Sequence, residues 1–413
     1  MPQERLTAQA VALREDACAV RICLVYDCLY PWTVGGGERW YRGLAEQLVA
    51  EGHEVTYLTL TQWDADAPPD IAGVDVVPVG PRLELYDNGN RKIGPPLRFG
   101  VGVLLHLLRH GRRYDVVHTS SFPYFSLLAA EAARPLHRYG VSVDWFEVWS
   151  RAYWRSYLGA LGGRVGWTIQ RLCAVMPQRA YVFSRRYAER LEALGLRGGA
   201  THLTGMYGGP LEAPAATPPV EPPTVVYAGR MIPEKRVPLV VDAIAAARER
   251  VPGLRGRIFG AGPEHELVRA RIAELGLEDV VDAPGFVDAA EVDAAMRSAL
   301  CVVQPSSREG YGMVVVEASA HGVPAIVVAG EDNAAVELVD PGRNGYVAAE
   351  ATGASIAAEV VRCHEDGEAL RASTRAWFGE HADRLSLAGS LRTVAAAYAT
   401  PSRRRRRRGA TRT

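Results

Sequence analysis

The chain has 413 residues, 48% of them hydrophobic, which is enough for two domains with separate cores. Its formal charge is zero, which argues against a dedicated nucleic-acid binder, and no apolar run approaches the ~20 residues a membrane span needs. The opening Met1-Pro-Gln-Glu-Arg-Leu-Thr lacks the basic and then apolar pattern of a secretory signal, so the expected location is the cytoplasm.

Residues 1–19 are polar and without period, and read as a flexible arm. Val20–Tyr26 is a buried strand, Gly35-Gly36-Gly37 a turn, and Glu38–Glu51 a helix with apolar positions at Trp40, Leu44, Leu48 and Val49. Val55–Leu60 closes a first βαβ unit. Further strands at Val74–Val79, Val116–Thr119, Gly140–Val143 and Ala180–Phe183 alternate with helical patterns, predicting a parallel sheet wrapped by helices over residues 20–207. A proline-rich stretch at 208–223 reads as a connector, and a second αβ-alternating domain spans 224–380. A last helix falls within 381–400. The tail at 401–413, with six consecutive arginines from Arg403 to Arg408, is expected to be disordered because like charges repel and nothing apolar anchors it. The six cysteines lack metal-ligand spacing and read as reduced thiols.

The most informative segment is Gln304-Pro-Ser-Ser-Arg-Glu-Gly-Tyr-Gly-Met-Val-Val-Val-Glu-Ala318. It reads as a strand, a tight loop and a helix start, with Glu309 and Glu317 flanking a helix N-terminus. Unpaired N–H groups there, at Gly312 and Met313, suit a diphosphate, whereas carboxylates suit hydroxyl donors. A nucleotide sugar offers both chemistries. Two further segments fit it. Thr224-Val-Val-Tyr-Ala-Gly-Arg230 ends a strand in Gly229 and Arg230 and is followed by Lys235, so that a guanidinium fork and a point charge are available to phosphate oxygens. Gly256-Arg-Ile-Phe-Gly260-Ala-Gly262 ends another strand in a Gly-x-Gly turn, which lets a backbone pass close to a nucleotide.

Pro-Ser-x-x-Glu-Gly-Tyr-Gly-x4-Glu-Ala and Gly-Arg-x4-Lys, occurring in this order, resemble the signatures of glycosyltransferase family 4, the retaining nucleotide-sugar transferases of GT-B fold. The resemblance implies an α/β architecture of two Rossmann-like domains facing across a cleft, with the last helix crossing back onto the first domain. It implies transfer of a hexose from a UDP- or GDP-sugar to a glycan or lipid-linked acceptor, in cell-envelope or polysaccharide biosynthesis. Arg230 and Lys235 would stabilise the leaving diphosphate, Glu309 would hold sugar hydroxyls, and Glu317 the ribose. Gly229, Gly260, Gly262, Gly310, Tyr311, Gly312 and Met313 would line the donor. From the first domain, the N–H groups of Gly35, Gly36 and Gly37 and the ring of His118, read as standing at a strand end, would contribute contacts to donor or sugar. Asp64-Ala-Asp66 matches the Asp-x-Asp metal motif of another glycosyltransferase fold but lies in a proline-rich loop far from the clamp, so no obligatory metal is expected. An epimerase would need acid/base residues beside the sugar, a phosphorylase usually a pyridoxal lysine, and a non-catalytic sugar-nucleotide scaffold would tolerate loss of a clamp residue. Arg230, Lys235, Glu309 and Glu317 are all present.

The acceptor side departs from the family pattern. Residues 82–197 carry eighteen basic side chains against eight acidic ones. Pro96–Arg113 sets Leu97, Val101, Leu104, Leu105 and Leu108 beside four arginines, and residues 145–157 interleave six aromatic residues with Arg151 and Arg155. Such patterns suit peripheral contact with an anionic membrane, stacking on a soluble glycan, or an ordinary core with solvated arginines. A second departure is Asn333-Ala-Ala-Val-Glu-Leu-Val339, where the family often has a glycine before Glu-Leu-Val.

Overall fold

A computed structural model of the chain describes residues 19–87, 90–92, 94–212 and 218–399. The arm up to residue 18, residues 213–217 of the connector and the arginine run Arg403–Arg408 lie outside the described residues.

The first domain is built on β1 (Arg21–Val25), α1 (Gly36–Ala50), β2 (Glu54–Leu60), β3 (Val74–Gly80), α2 (Gly94–His110), β4 (Val116–Ser120), α3 (Phe125–His137), β5 (Gly140–Trp145), α4 (Arg151–Val175), β6 (Arg179–Val182), α5 (Arg185–Ala193) and β7 (Ala200–His202). The strands pair in parallel in the order β3-β2-β1-β4-β5-β6-β7. Strand interiors such as Ile22-Cys-Leu-Val25 are continuous apolar runs because both faces of the sheet are covered. Right-handed crossovers then sort the helices. The β1-to-β2 step runs towards one edge and places α1 on one face. The steps served by α2 to α5 run the other way and place those helices on the opposite face. Two separate cores follow: Trp40, Tyr41 and Leu44 of α1 pack on one side of the sheet, and Phe99, Val103, Leu127, Cys173 and Leu191 on the other.

The second domain comprises β8 (Thr224–Ala228), α6 (Pro238–Ala247), β9 (Arg255–Phe259), α7 (His265–Glu274), β10 (Val281–Gly285), α8 (Ala289–Arg297), β11 (Cys301–Gln304), α9 (Met313–Ala320), β12 (Ala325–Val328), β13 (Gly345–Ala348) and α10 (Gly353–Leu385). Its parallel sheet runs β10-β9-β8-β11-β12-β13. α10 is kinked at Gly367 and continues to Leu385 before the break at Ser386. α11 (Leu387–Ala399) follows.

The chain leaves the first domain and returns to it at one place. Tyr207 N donates to Leu385 O at 3.0 Å, and Leu387 N donates to Tyr207 O at 2.8 Å. α11 then lies on α1, where Gly43 admits Leu391; a Cβ at that glycine would stand 3.2 Å from the leucine. Leu391, Val394 and Tyr398 join the core on the α1 side. The C-terminal ends of both sheets face the cleft, where ligands of such folds bind.

Candidate active site between the two domains

The loop after β8 carries Gly229 and Arg230 and ends in the short turn Pro233–Lys235. The loop after β11 carries Glu309. Lys235 Nζ forms an ion pair with Glu309 Oε1. The same oxygen accepts from Gln304 Nε2 at 2.5 Å and Ser306 Oγ at 2.7 Å. Burial pushes the Glu309 carboxyl upward, but the Lys235 charge and the three hydrogen bonds outweigh it and hold the group below the usual carboxylate range. The structure therefore presents an ionised acid with its position fixed. Arg230 is exposed to the cleft, its carbonyl tied by Tyr227 Oη at 2.9 Å.

The Gly-x-Gly turn after β9 is folded onto the Arg230 loop. Met231 N donates to Ala261 O at 2.9 Å, and Gly229 N to Phe259 O at 3.1 Å. Gly260 and Gly262 have φ of 133° and 154°, and a Cβ on them would stand 1.8 Å from Gly229 O and 2.3 Å from Met231 O. Both the backbone conformation and the space demand glycine. Gly260→Ala is accordingly expected to cost about 1–3 kcal/mol in strain and to lower the melting temperature by roughly 2–4 °C per kcal/mol, with displacement of Arg230. Calorimetry and nucleotide titration check this; a variant that melts and binds like wild type would show that the turn relaxes.

Gly312, with φ 111°, caps α9, and a Cβ on it would meet Ala335 Cβ at 2.6 Å. α9 thus begins abruptly at Met313, with its free N–H groups at the positive end of the helix dipole. Glu317 lies one turn further along. Burial raises its carboxyl, Arg39 of α1 across the cleft pulls it down, and Asp293 raises it further; the net shift is upward. Hydroxyl donors at Glu317 would relieve that penalty. Gly310 is pressed against the first domain, its Cβ position 2.9 Å from Phe146 O. Gly35 is the N-cap of α1, which begins at Gly36, two residues earlier than the sequence reading placed it. A Cβ at Gly37 would meet the Tyr26 hydroxyl at 2.4 Å, so the glycine turn packs on a residue that lines the cleft.

Two residues expected to contact ligand have their side chains buried and bonded within the protein. His118 is wholly buried within β4, which runs on to Ser120, so the ring lies inside the strand and not at its end. Its Nδ1 is 2.7 Å from Tyr398 Oη of α11, its Nε2 is 3.0 Å from Asp144 Oδ1, and its ring stacks on Tyr181. It is a core residue fastening the returning helix. Tyr311 is also buried, and its hydroxyl donates to Thr204 O at 2.7 Å, making it a tie between domains.

Several residues absent from the sequence reading hold the domains together. Asp332 is buried and accepts from Ser150 N at 3.1 Å, from Ser150 Oγ at 2.8 Å and from Arg190 Nη1. Glu337 accepts from the N–H groups of Arg185 and Arg186 at 2.8 and 2.9 Å, capping α5 from the other domain. Glu337 lies in the Asn333–Val339 segment that departs from the family pattern. Arg308, next to Glu309, pairs with Glu147 and with Glu234 at 3.2 Å and lies over Trp149 and Tyr153. The aromatic stretch divides: Trp145, Trp149 and Trp154 are core, whereas Phe146 and Tyr157 are half-buried. With Phe122, Trp149, Glu147, Arg230 and Glu234, those two line an interdomain cavity of about 170 Å³.

Among the described residues no cluster of His, Cys, Asp and Glu is arranged to hold a metal ion. Asp64 is an exposed surface acid paired with Arg82 at 3.1 Å. The five described cysteines are buried.

Comparison with known proteins agrees with this architecture. Residues 35–205 match the family described as Glycosyl transferase 4-like domain, and residues 212–382 match Glycosyl transferases group 1. A GDP-mannose-dependent alpha-(1-6)-phosphatidylinositol monomannoside mannosyltransferase of Mycobacterium tuberculosis is 36% identical over 134 residues, 31% of this chain and 34% of that protein. Matched stretches of the curated relatives span between 16% and 46% of those proteins' lengths. In structure, sucrose-phosphate synthase from Thermosynechococcus elongatus superposes with a TM-score of 0.75 at 19% identity, covering 92% of this chain and 98% of that one. HepE of Anabaena in complex with UDP-glucose gives 0.67 at 16% identity, covering 92% and 99%. With residues 35–205 matching one description and 212–382 the other, and the fold superposing on these structures over 92% of its length, the chain belongs to the family 4 type of glycosyltransferases and has the GT-B fold.

Proposed function

We propose that this enzyme transfers a hexose, with retention of configuration, from a UDP- or GDP-sugar to a hydroxyl of a glycan or lipid-linked acceptor in envelope or polysaccharide synthesis. The observation carrying the reading is the ionised Glu309 locked to Lys235, beside the exposed Arg230. The donor diphosphate would lie against Arg230, Lys235 and the N–H groups of Gly312 and Met313, with the ribose on Glu317 and the sugar hydroxyls on Glu309. The sugar–phosphate bond breaks first, leaving an oxocarbenium-like carbon and a diphosphate whose added charge these donors stabilise. The acceptor hydroxyl attacks from the face the phosphate leaves, its oxygen bonds to the anomeric carbon, and its proton passes to the departing phosphate oxygen. No enzyme nucleophile and no obligatory metal enter this path. The acceptor would sit in the cavity lined by Phe122, Phe146, Trp149 and Tyr157, whose rings suit a pyranose face.

The relatives support both donor bases: one is named as GDP-mannose-dependent, and HepE was solved with UDP-glucose. A melting panel of UDP-, GDP-, ADP- and TDP-sugars with a chelator present tests the reading. One base family is expected to stabilise the protein, by about 2.7 kcal/mol at a hundredfold excess over Kd. Product NMR is then expected to show the donor's anomeric configuration. No stabilisation by any nucleotide sugar would sink the donor site, and an inverted product would sink retention.

A further inference from the structure

We infer that the outer surface of α2 and α4 is a docking face for a bilayer with anionic headgroups. The two helices lie on the same face of the first sheet. On α2, Leu97, Val101, Leu105 and Leu108 recur at helical spacing and are 41–57% exposed. They form a stripe opposite the buried Phe99, Val103 and Leu107. On α4, Leu161, Val165, Leu172 and Val175 repeat the pattern at 37–77% exposure. Leu136 of the intervening α3 is 62% exposed. Single exposed leucines are ordinary, but two stripes at helical spacing on helices of one sheet face, with Leu136 on the helix between them, are more than scatter.

Charge selects the occupant. Neither Gly94–Arg113 nor α4 contains an acidic residue, whereas they carry Arg98, Arg109, Arg112 and Arg113, and Arg151, Arg155, Arg164 and Arg171. All eight are exposed, and among the described residues none forms an ion pair. Some exposed arginines of the second domain are paired, as in Arg250–Glu365, Arg343–Glu380 and Arg362–Glu359. In these two segments eight arginines without an ion pair accompany the apolar stripes, and no acidic side chain does. Leucines entering the acyl boundary with arginines at phosphate level satisfy both features at once. None of the described helices is long and apolar enough to cross the bilayer, so the contact is parallel to its surface.

Flotation of the full chain with vesicles of phosphatidylcholine alone, or mixed with phosphatidylglycerol, tests the assignment. Wild type is expected to partition onto the anionic vesicles at least ~10-fold more strongly. The variant combining Leu105→Glu with Leu161→Glu is expected to lose about 10-fold or more of that binding, while keeping its melting temperature and its response to the nucleotide sugar. Because that response is read on the same protein, failure of docking is separable from failure of the transfer reading. A variant with Arg403 to Arg408 replaced by serine controls for the tail. Equal or absent binding to the two vesicle types, full binding by the leucine variant, or loss confined to the tail variant would each overturn the inference. So would a wild-type dimer that the leucine changes dissolve, since a second copy would then cover the face.

Discussion

Replacing Lys235 by alanine is expected to lower kcat/KM by about 10²–10³-fold, the usual cost of removing one preorganised donor from a developing negative charge. The ammonium has two tasks in this structure. On the proposed path it faces the charge gathered by the leaving diphosphate, and in the resting protein it holds the Glu309 carboxyl below the usual range. The second task gives the variant a pH signature. In wild type the folded Glu309 value lies below the unfolded one, so its contribution to stability is complete above the ordinary glutamate range. That contribution is lost as pH falls through the lowered value. Without Lys235, burial is opposed mainly by Ser306 and Gln304, and the carboxyl takes up its proton at higher pH. The acid limb of the pH profile of kcat/KM should therefore move upward in Lys235→Ala, together with greater acid sensitivity of melting. Lys235→Arg, which keeps the charge, should move the limb less. A loss under tenfold with an unmoved limb would mean that Lys235 touches neither the phosphate nor the acid in the working complex.

What could be read from the sequence was what is local. Short apolar runs marked the central strands of both sheets, and in the second domain they end at Gly229, Gly260 and Pro305. That Lys235 and Glu309 would meet was legible because loops at adjacent strand ends come together in a doubly wound sheet. The long-range facts were not. His118 looked like a strand-end ligand because nothing near it in sequence announces Tyr398, 280 residues on, which occupies its ring nitrogen. Tyr311 sits inside the motif, but its hydroxyl is committed to Thr204 O, a contact made only when the domains close. The stretch 145–157 left three readings open because alternating aromatics and arginines look alike whether they line a core, a cavity or a bilayer contact. Packing divides them, with the tryptophans inward and Phe146 and Tyr157 towards the cleft. Asp332 and Glu337 belong to no pattern, since their partners are supplied by the opposite domain.

Asp332→Ala is the second change expected to have a large effect, and it should separate binding from turnover. Asp332 stands beside the Glu309 loop: Arg308 and Glu309 pair with Asp332 and Asn333 as short parallel strands. Its carboxylate reaches across to Ser150 and Arg190, while its carbonyl and that of Glu309 both accept from Tyr187 Oη, at 2.9 and 2.8 Å. Removing the carboxylate takes the acceptor from the Ser150 N–H and leaves Arg190 with the carbonyls of Val148 and Glu331 and the more distant Glu331 carboxylate. Loss of one partner of a buried pair costs about 3–5 kcal/mol. The cost falls on the contact between domains, because the cores of the two sheets do not include this residue. Donor contacts of the proposed site lie almost entirely in the second domain, so calorimetric affinity for the nucleotide sugar should change by less than about threefold, under 1 kcal/mol. Turnover needs the acceptor cavity, which both domains line, and kcat should fall by at least ~10-fold as open molecules come to dominate. Scattering should report a larger radius of gyration for the variant. Donor affinity and kcat falling together would show that Asp332 acts by shaping the Glu309 loop, and unchanged kcat would show that the domains close without it.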